Sequence, residues 1–205
     1  MYSTVMPKLW DETIEEHRRS VREATLDTTA ELVAQKGLRA VTMSEIAENT
    51  GIGRATLYKY YPDVETILSA WHQRQISRHL EHLNEIRGHG EAAISRLVAV
   101  LTAYAHIQRA RTRHHHEQPH GRELEVLLHS DPQVDKAQRE LHDLMRELVE
   151  EAVSEGAVRD DIPATELAGY AIHALEAAGH APSEAAASRL VTLTLAGMRP
   201  TSPSQ

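Results

Sequence analysis

Two short helical segments, residues 42–50 and 54–60, are separated by Gly51-Ile52-Gly53 and closed by Pro62, and this spacing leaves few folds open to the chain. Thr42-Met43-Ser44-Glu45 reads as a capping box: the threonine hydroxyl accepts from a first-turn amide and the glutamate reaches back to the start of the helix. Gly51 supplies the left-handed backbone that a sharp reversal needs, and Ile52 plugs the angle between the helices. Ile46, Ala47 and Leu57 provide a small shared core, with Ala47 small enough for a close crossing. Two short helices around a tight glycine turn, the second rich in small and polar residues, form the pattern of a helix-turn-helix.

The rest of the chain reads as helical too. No run alternates with the period of two that a strand requires, and glycine and proline sit mostly at breaks. A first helix is predicted from about Ser20 to Lys36, with Val21, Thr25, Thr28, Leu32 and Val33 on one face and Gly37 as its stop. A long fourth helix runs from Val64 to about Arg87, capped by Asp63. Further helices are expected at about 91–113, 121–129, 133–155, 164–179 and 183–198, and the tail from Pro200 to Gln205 is expected to be disordered. The fold class is all-α: an N-terminal three-helix domain at 18–67 and a C-terminal helical domain at 68–199.

Composition narrows the function. Cysteine is absent, which removes disulfides, thiolate metal sites and cysteine nucleophiles. The opening MYSTVMPKLWDETIEEH carries acids where a secretory signal has an apolar core, and no stretch is long and apolar enough to span a bilayer, so a soluble cytoplasmic protein is expected. No Gly-x-Ser-x-Gly elbow, phosphate-binding loop or dinucleotide fingerprint accompanies the serines, histidines and aspartates, so no enzyme and no cofactor is expected. The net charge of −8 opposes indiscriminate attraction to phosphate. From His17 to Pro62, however, seven bases face five acids, so a DNA contact there depends on where a few groups are placed.

With the second short helix in a major groove, its outward face is Arg54, Ala55, Thr56, Tyr58, Lys59 and Tyr60. Arg54, at the helix N-terminus, suits bidentate donation to guanine O6 and N7, and Ala55 and the Thr56 methyl suit a thymine methyl. Tyr58, Lys59 and Tyr60 suit the backbone. Against these stand plainer readings: Tyr58, Tyr60 and above all Tyr61 as core aromatics, and Arg54 and the Arg18-Arg19 pair as solvated charges.

Residues 18–71 resemble the DNA-binding domain of the TetR (tetracycline repressor) family of regulators. The resemblance is carried by Gly37, Thr42, Ile46-Ala47, Gly51-Ile52, Thr56-Leu57-Tyr58, Tyr60-Tyr61 and Glu65-Ile67-Leu68, in the family's order and spacing. Thr28 and Thr29 stand where the family has paired alanines, Tyr61 where it has phenylalanine, and Val64 where it commonly has a phosphate-contacting lysine. Backbone binding then falls to Lys59, Thr42, Arg18 and Arg19. The resemblance implies a double-stranded DNA operator, a homodimer and repression relieved by a small-molecule effector.

The segment Glu155–Ile162 resembles the turn before the family's last two helices, which form its usual dimer interface. Here that interface is expected to use Leu167, Ile172, Leu175, Leu190, Val191, Thr194, Leu195 and Met198. An apolar effector pocket is expected from Leu101, Tyr104, Leu144 and Ile172, with His106, His129 and His173 orienting the ligand. The histidines from His106 to His129 also raise an alternative, a metal- or haem-responsive regulator, but no ligand spacing such as His-Glu-x-x-His occurs among them, so no metal is expected.

Overall fold

A computed structural model describes the backbone of residues 7–117 and 132–200, and the side chains of residues 15–113 and 135–200. Eight α-helices are present among the described residues, with no strand: α1 Pro7–Lys36, α2 Met43–Thr50, α3 Arg54–Tyr60, α4 Val64–Arg87, α5 Ala93–Glu117, α6 Pro132–Ser154, α7 Ala164–Glu176 and α8 Glu184–Gly197. Short 3-10 turns occupy Leu38–Ala40 and Ala177–His180. The helix expected at 121–129 and the end of the tail lie outside the described residues. None of the described helices is long and apolar enough to cross a membrane.

The helix starts and stops follow local chemistry. Thr42 accepts the Glu45 amide N–H at 3.3 Å, as the capping box requires, but the Glu45 carboxylate does not complete the reciprocal half: it accepts the Lys36 ammonium and fastens the end of α1 to α2. Asp63 caps α4 through Oδ1, which accepts the Thr66 amide at 2.7 Å and the Thr66 hydroxyl at 2.6 Å. Both bonds favour the ionised form and hold the Asp63 carboxyl below its usual range. α1 begins well before the expected Ser20. Residues 15–20 are all polar and exposed, which interrupts the apolar stripe, and Pro7 suits a first helical turn where its missing N–H costs nothing.

The described chain divides into two compact units, with the division inside α4, after Gln73. In the N-terminal unit, Leu26, Val33, Ile46, Leu57, Ile67 and Leu68 make the centre of a small core. Thr25 and Thr29 are buried there as well, each hydroxyl donating to a carbonyl four residues back at 2.8 Å, which satisfies a polar group that burial would otherwise penalise. Thr29, rather than Thr28, faces the core fully.

In the C-terminal unit, α5 is central, packing on α6, α7, α8 and the 177–180 turn. Alanines at 93, 105, 152, 168, 171, 178 and 187 let these helices approach closely. Gly179 marks the tightest point: a Cβ there would lie 2.5 Å from Thr112 Oγ1. Arg87 bonds Glu147 at 2.6 Å and Glu151 at 3.0 Å, and Arg96 bonds Glu151 at 2.7 Å, tying α4 and α5 to α6. The Arg96 bond is the main reason the Glu151 carboxyl sits below its ordinary pKa.

Most of the residues expected at the dimer interface contribute to this core. Leu167, Ile172, Leu175, Val191, Thr194 and Met198 are buried within the chain itself, and Leu190 and Leu195 pack half-buried against them. Their apolar periodicity faces the chain's own core. The surface that α7 and α8 leave exposed carries Tyr170, His173, Arg189, Thr192, Leu193 and Ala196 instead. Leu193 is 64% exposed, and the Tyr170 ring lies over Gly197, its hydroxyl 2.8 Å from where a Cβ would stand.

Candidate nucleic-acid interface

The turn between α2 and α3 is built from backbone bonds. Gly51 adopts φ 69°, ψ 19°, its amide bonds back to α2, and the Ile52 amide donates to the Ala47 carbonyl at 3.1 Å. That pairing, with Ile52 packed on the small core beside Ala47, is the Schellman ending of a helix. Nothing lies within 4 Å of a Cβ added at Gly51, so glycine is required there by conformation and not by space. Gly53 then starts α3, its carbonyl accepting from Thr56 and Leu57.

α3 touches the core through Leu57 alone among its buried residues. Arg54, Ala55, Thr56, Tyr58, Lys59 and Tyr60 are all exposed, with Tyr58 at 49% and Tyr60 at 48%. Tyr61, just past the helix, is half-buried against the core. A short helix held by one leucine and exposing two tyrosines, a lysine and an arginine has its chemistry turned outward, as insertion into a groove requires.

The supporting contacts lie nearby. Thr42 is exposed at the N-terminus of α2. Arg18 and Arg19 are exposed on α1, and Arg18 bonds Glu15 at 2.6 Å, a surface pair whose worth is only about 0–1 kcal/mol and which a phosphate can displace. A cleft of about 280 Å³ runs between α1 and α3, floored by Val21, Thr25, Ile52 and Leu57 and rimmed by His17, Arg18 and Arg22. Sequence reasoning did not single out His17 or Arg22 as contacts. Their signal was the helical spacing of Arg18 and Arg22, four residues apart on one face.

Four of the expected effector residues share one core, and His106 and His173 are exposed outside it. Leu101, Tyr104, Leu144 and Ile172 are packed into the core, and burial is the main influence pushing the Tyr104 phenol up to about 12. His173 is exposed on α7, 3.4 Å from Glu176, and His129 lies outside the described residues. His106 lines a shallow groove between α4 and α5 together with His79 and His82. Groups of three or more histidine, aspartate or glutamate side chains arranged to hold a metal do not occur among the described residues, and His114, His115, His116 and His120 fall outside the described side chains.

The family model described as bacterial regulatory proteins, tetR family, matches residues 26–70, the stretch that holds α2, the glycine turn and α3. A second model, the C-terminal domain of SbtR-like transcriptional regulators, matches residues 117–200. A comparison with curated protein sequences finds no match.

Among solved structures, a TetR/AcrR-family transcriptional regulator from Thermobifida fusca is similar with a TM-score of 0.69 at 20% identity, over 87% of this chain and 98% of that one. The regulator SmeT in complex with triclosan gives a TM-score of 0.63 at 16% identity, over 88% and 92%. FadR from Bacillus subtilis, in complex with stearoyl-CoA, gives 0.59 at 14% identity, over 86% and 99%. At these identities the likeness establishes the shared helical fold. The two family models together take in more than half of the residues and place a DNA-binding helix-turn-helix ahead of a regulator's C-terminal domain, so the chain belongs to the tetR family of bacterial regulatory proteins and is a DNA-binding transcriptional regulator.

Proposed function

We propose that the protein is a homodimeric repressor whose α3 reads an operator and whose C-terminal helices sense a small-molecule effector that releases it. The observation that carries this reading is the outward chemistry of α3: six of its seven residues are exposed and only Leu57 is buried. In this account residues 18–67 bind DNA and residues 68–199 sense and dimerise. Arg54 is the base-reading side chain, with Ala55 and Thr56 on thymine methyls, while Arg18, Arg19, Thr42, Tyr58, Lys59 and Tyr60 hold the backbone.

The dimer contact lies on the exposed α7–α8 face at Tyr170, His173, Thr192, Leu193 and Ala196, because the leucines first expected there are spent on the chain's own core. Two copies of α3 in one dimer must meet successive major grooves about 34–36 Å apart. α4 belongs to both units, so an effector that alters its packing in the sensing unit changes how the reading helices are held. For a near-complete switch the effector must favour the released form by on the order of 10⁴-fold. Similar regulators caught with triclosan and with stearoyl-CoA support response to an organic ligand.

The test is operator selection from random duplexes, followed by a thermal-shift screen. A ligand that binds only the folded chain raises its melting temperature. The account expects at least one such compound to release the selected duplex; stabilising compounds that all leave DNA affinity unchanged would refute the release mechanism.

A further inference from the structure

The groove between α4 and α5 is graded from one end to the other. Its volume is about 630 Å³, and its lining alternates small apolar side chains with three histidines. The part of α4 that lines it, after Gln73, belongs to the same compact unit as α5. The loop from Gly88 to Ala92 makes the two helices run in opposite directions, so Ile86 sits toward Ala99 and His79 toward His106, Ile107 and Ala110. On α5 the lining spans residues 99–110, about 16 Å of helix. The Ile86 end is apolar. The His79 end is basic, because Arg111 lies close enough to act on His79 electrostatically.

We propose that this groove binds an amphipathic organic anion, its apolar chain along Ile86, Ala99 and Ala103 and its carboxylate between His79 and Arg111. The proposal rests on the effector-sensing reading above and names the chemical class that the sensor takes. Arg111 is a permanent cation, and no carboxylate is among the described residues that line the groove. Glu184 on α8 is directed at His106, 3.8 Å away.

Burial, then Arg111, then His82 push the His79 imidazole below its usual pKa, so it stands neutral and able to donate one hydrogen bond. An anion placed there is attracted by the Arg111 charge and accepts the His79 N–H, whereas a cation is repelled by Arg111 and an uncharged head group gains only a neutral hydrogen bond. His79 and His82 lie three residues apart on one face of α4, so the sequence contains the signal as a His-x-x-His spacing.

The direct test compares decanoate with 1-decanol, which share a chain and differ in the charge of the head, by titration calorimetry on the whole protein. Decanoate is expected to bind about tenfold more tightly or better. Ala110→Trp, at an exposed position on the groove's rim, should weaken decanoate at least tenfold with an unchanged melting curve. The double variant His79→Gln with Arg111→Gln should equalise the two ligands. Equal affinity of the two in the wild type, or decanoate binding that Ala110→Trp leaves intact, would overturn the proposal. Decanoate that binds, is blocked by Ala110→Trp and yet leaves operator affinity unchanged would uphold the site and refute effector release, so the two readings fail separately.

Discussion

The N-terminal unit and the C-terminal unit solve opposite problems with the same helical material. In the first, a core of a few residues around Ile46, Leu57 and Ile67 holds a short helix so that nearly all of its side chains face outward. In the second, alanine-rich helices bury most of their apolar face on one another, and a groove remains between α4 and α5. The reading unit is specified by backbone devices, namely a cap, a left-handed glycine and an Asp N-cap, whereas the sensing unit is specified by side-chain volume. Substitutions should therefore act on DNA affinity in the first unit and on folding or assembly in the second.

The largest effect is expected from charge in the alanine-rich core. Leu175→Asp buries an unpaired carboxylate and should cost at least ~4 kcal/mol, seen as loss of the cooperative thermal transition. Leu193→Asp, on the exposed face of α8, should keep the melting transition of the monomer and abolish the dimer in light scattering. An unchanged dimer in that variant would remove the α7–α8 face from the assembly. Next in size, Gly179→Ala forces a methyl against Thr112 and should cost about 1–3 kcal/mol by thermal melting, with DNA affinity per folded dimer untouched.

In the reading unit the effects are smaller. Asp63→Ala removes the cap of α4 and should cost about 1 kcal/mol. The carboxyl's pKa is depressed in the folded state, so its contribution is complete above its unfolded value of 3.8 and fades as pH falls through the lower folded value. The wild type should lose stability relative to Asp63→Ala over that acidic range, and parallel acid denaturation curves would contradict the capping role. The smallest change is expected for Lys59→Ala, which should weaken all duplexes alike and reduce the salt dependence by about one unit of slope.

How far each unit was legible in the sequence follows the same division. α3 and α4 were readable to their ends because Gly53, Pro62, Asp63 and Gly88 act on the backbone locally. The start of α1 was not, because the six residues from Glu15 to Ser20 are all polar and interrupt the periodic stripe. Leu167, Leu175 and Leu195 read as apolar and helical, but periodicity reports burial without naming the partner, and all three pack in or against the chain's own core. Thr25 and Thr29 look polar in the sequence yet are core residues, since each hydroxyl is satisfied within its own helix. The groove was hidden for a further reason: it arises where two helices fail to close, which depends on packing elsewhere, and only the His79–His82 spacing hinted at it.

The central claim is that α3 reads DNA sequence through Arg54, and base selectivity measures it most directly. Wild-type protein and Arg54→Ala should each be titrated against the selected operator and against duplexes carrying every single-base change within one half-site. The account predicts that Arg54→Ala loses about 1–3 kcal/mol on the operator and loses its preference at one base pair while preferences elsewhere survive. Selectivity unchanged at every position in the Arg54 variant, or uniform weak binding of all duplexes by the wild type, would contradict it.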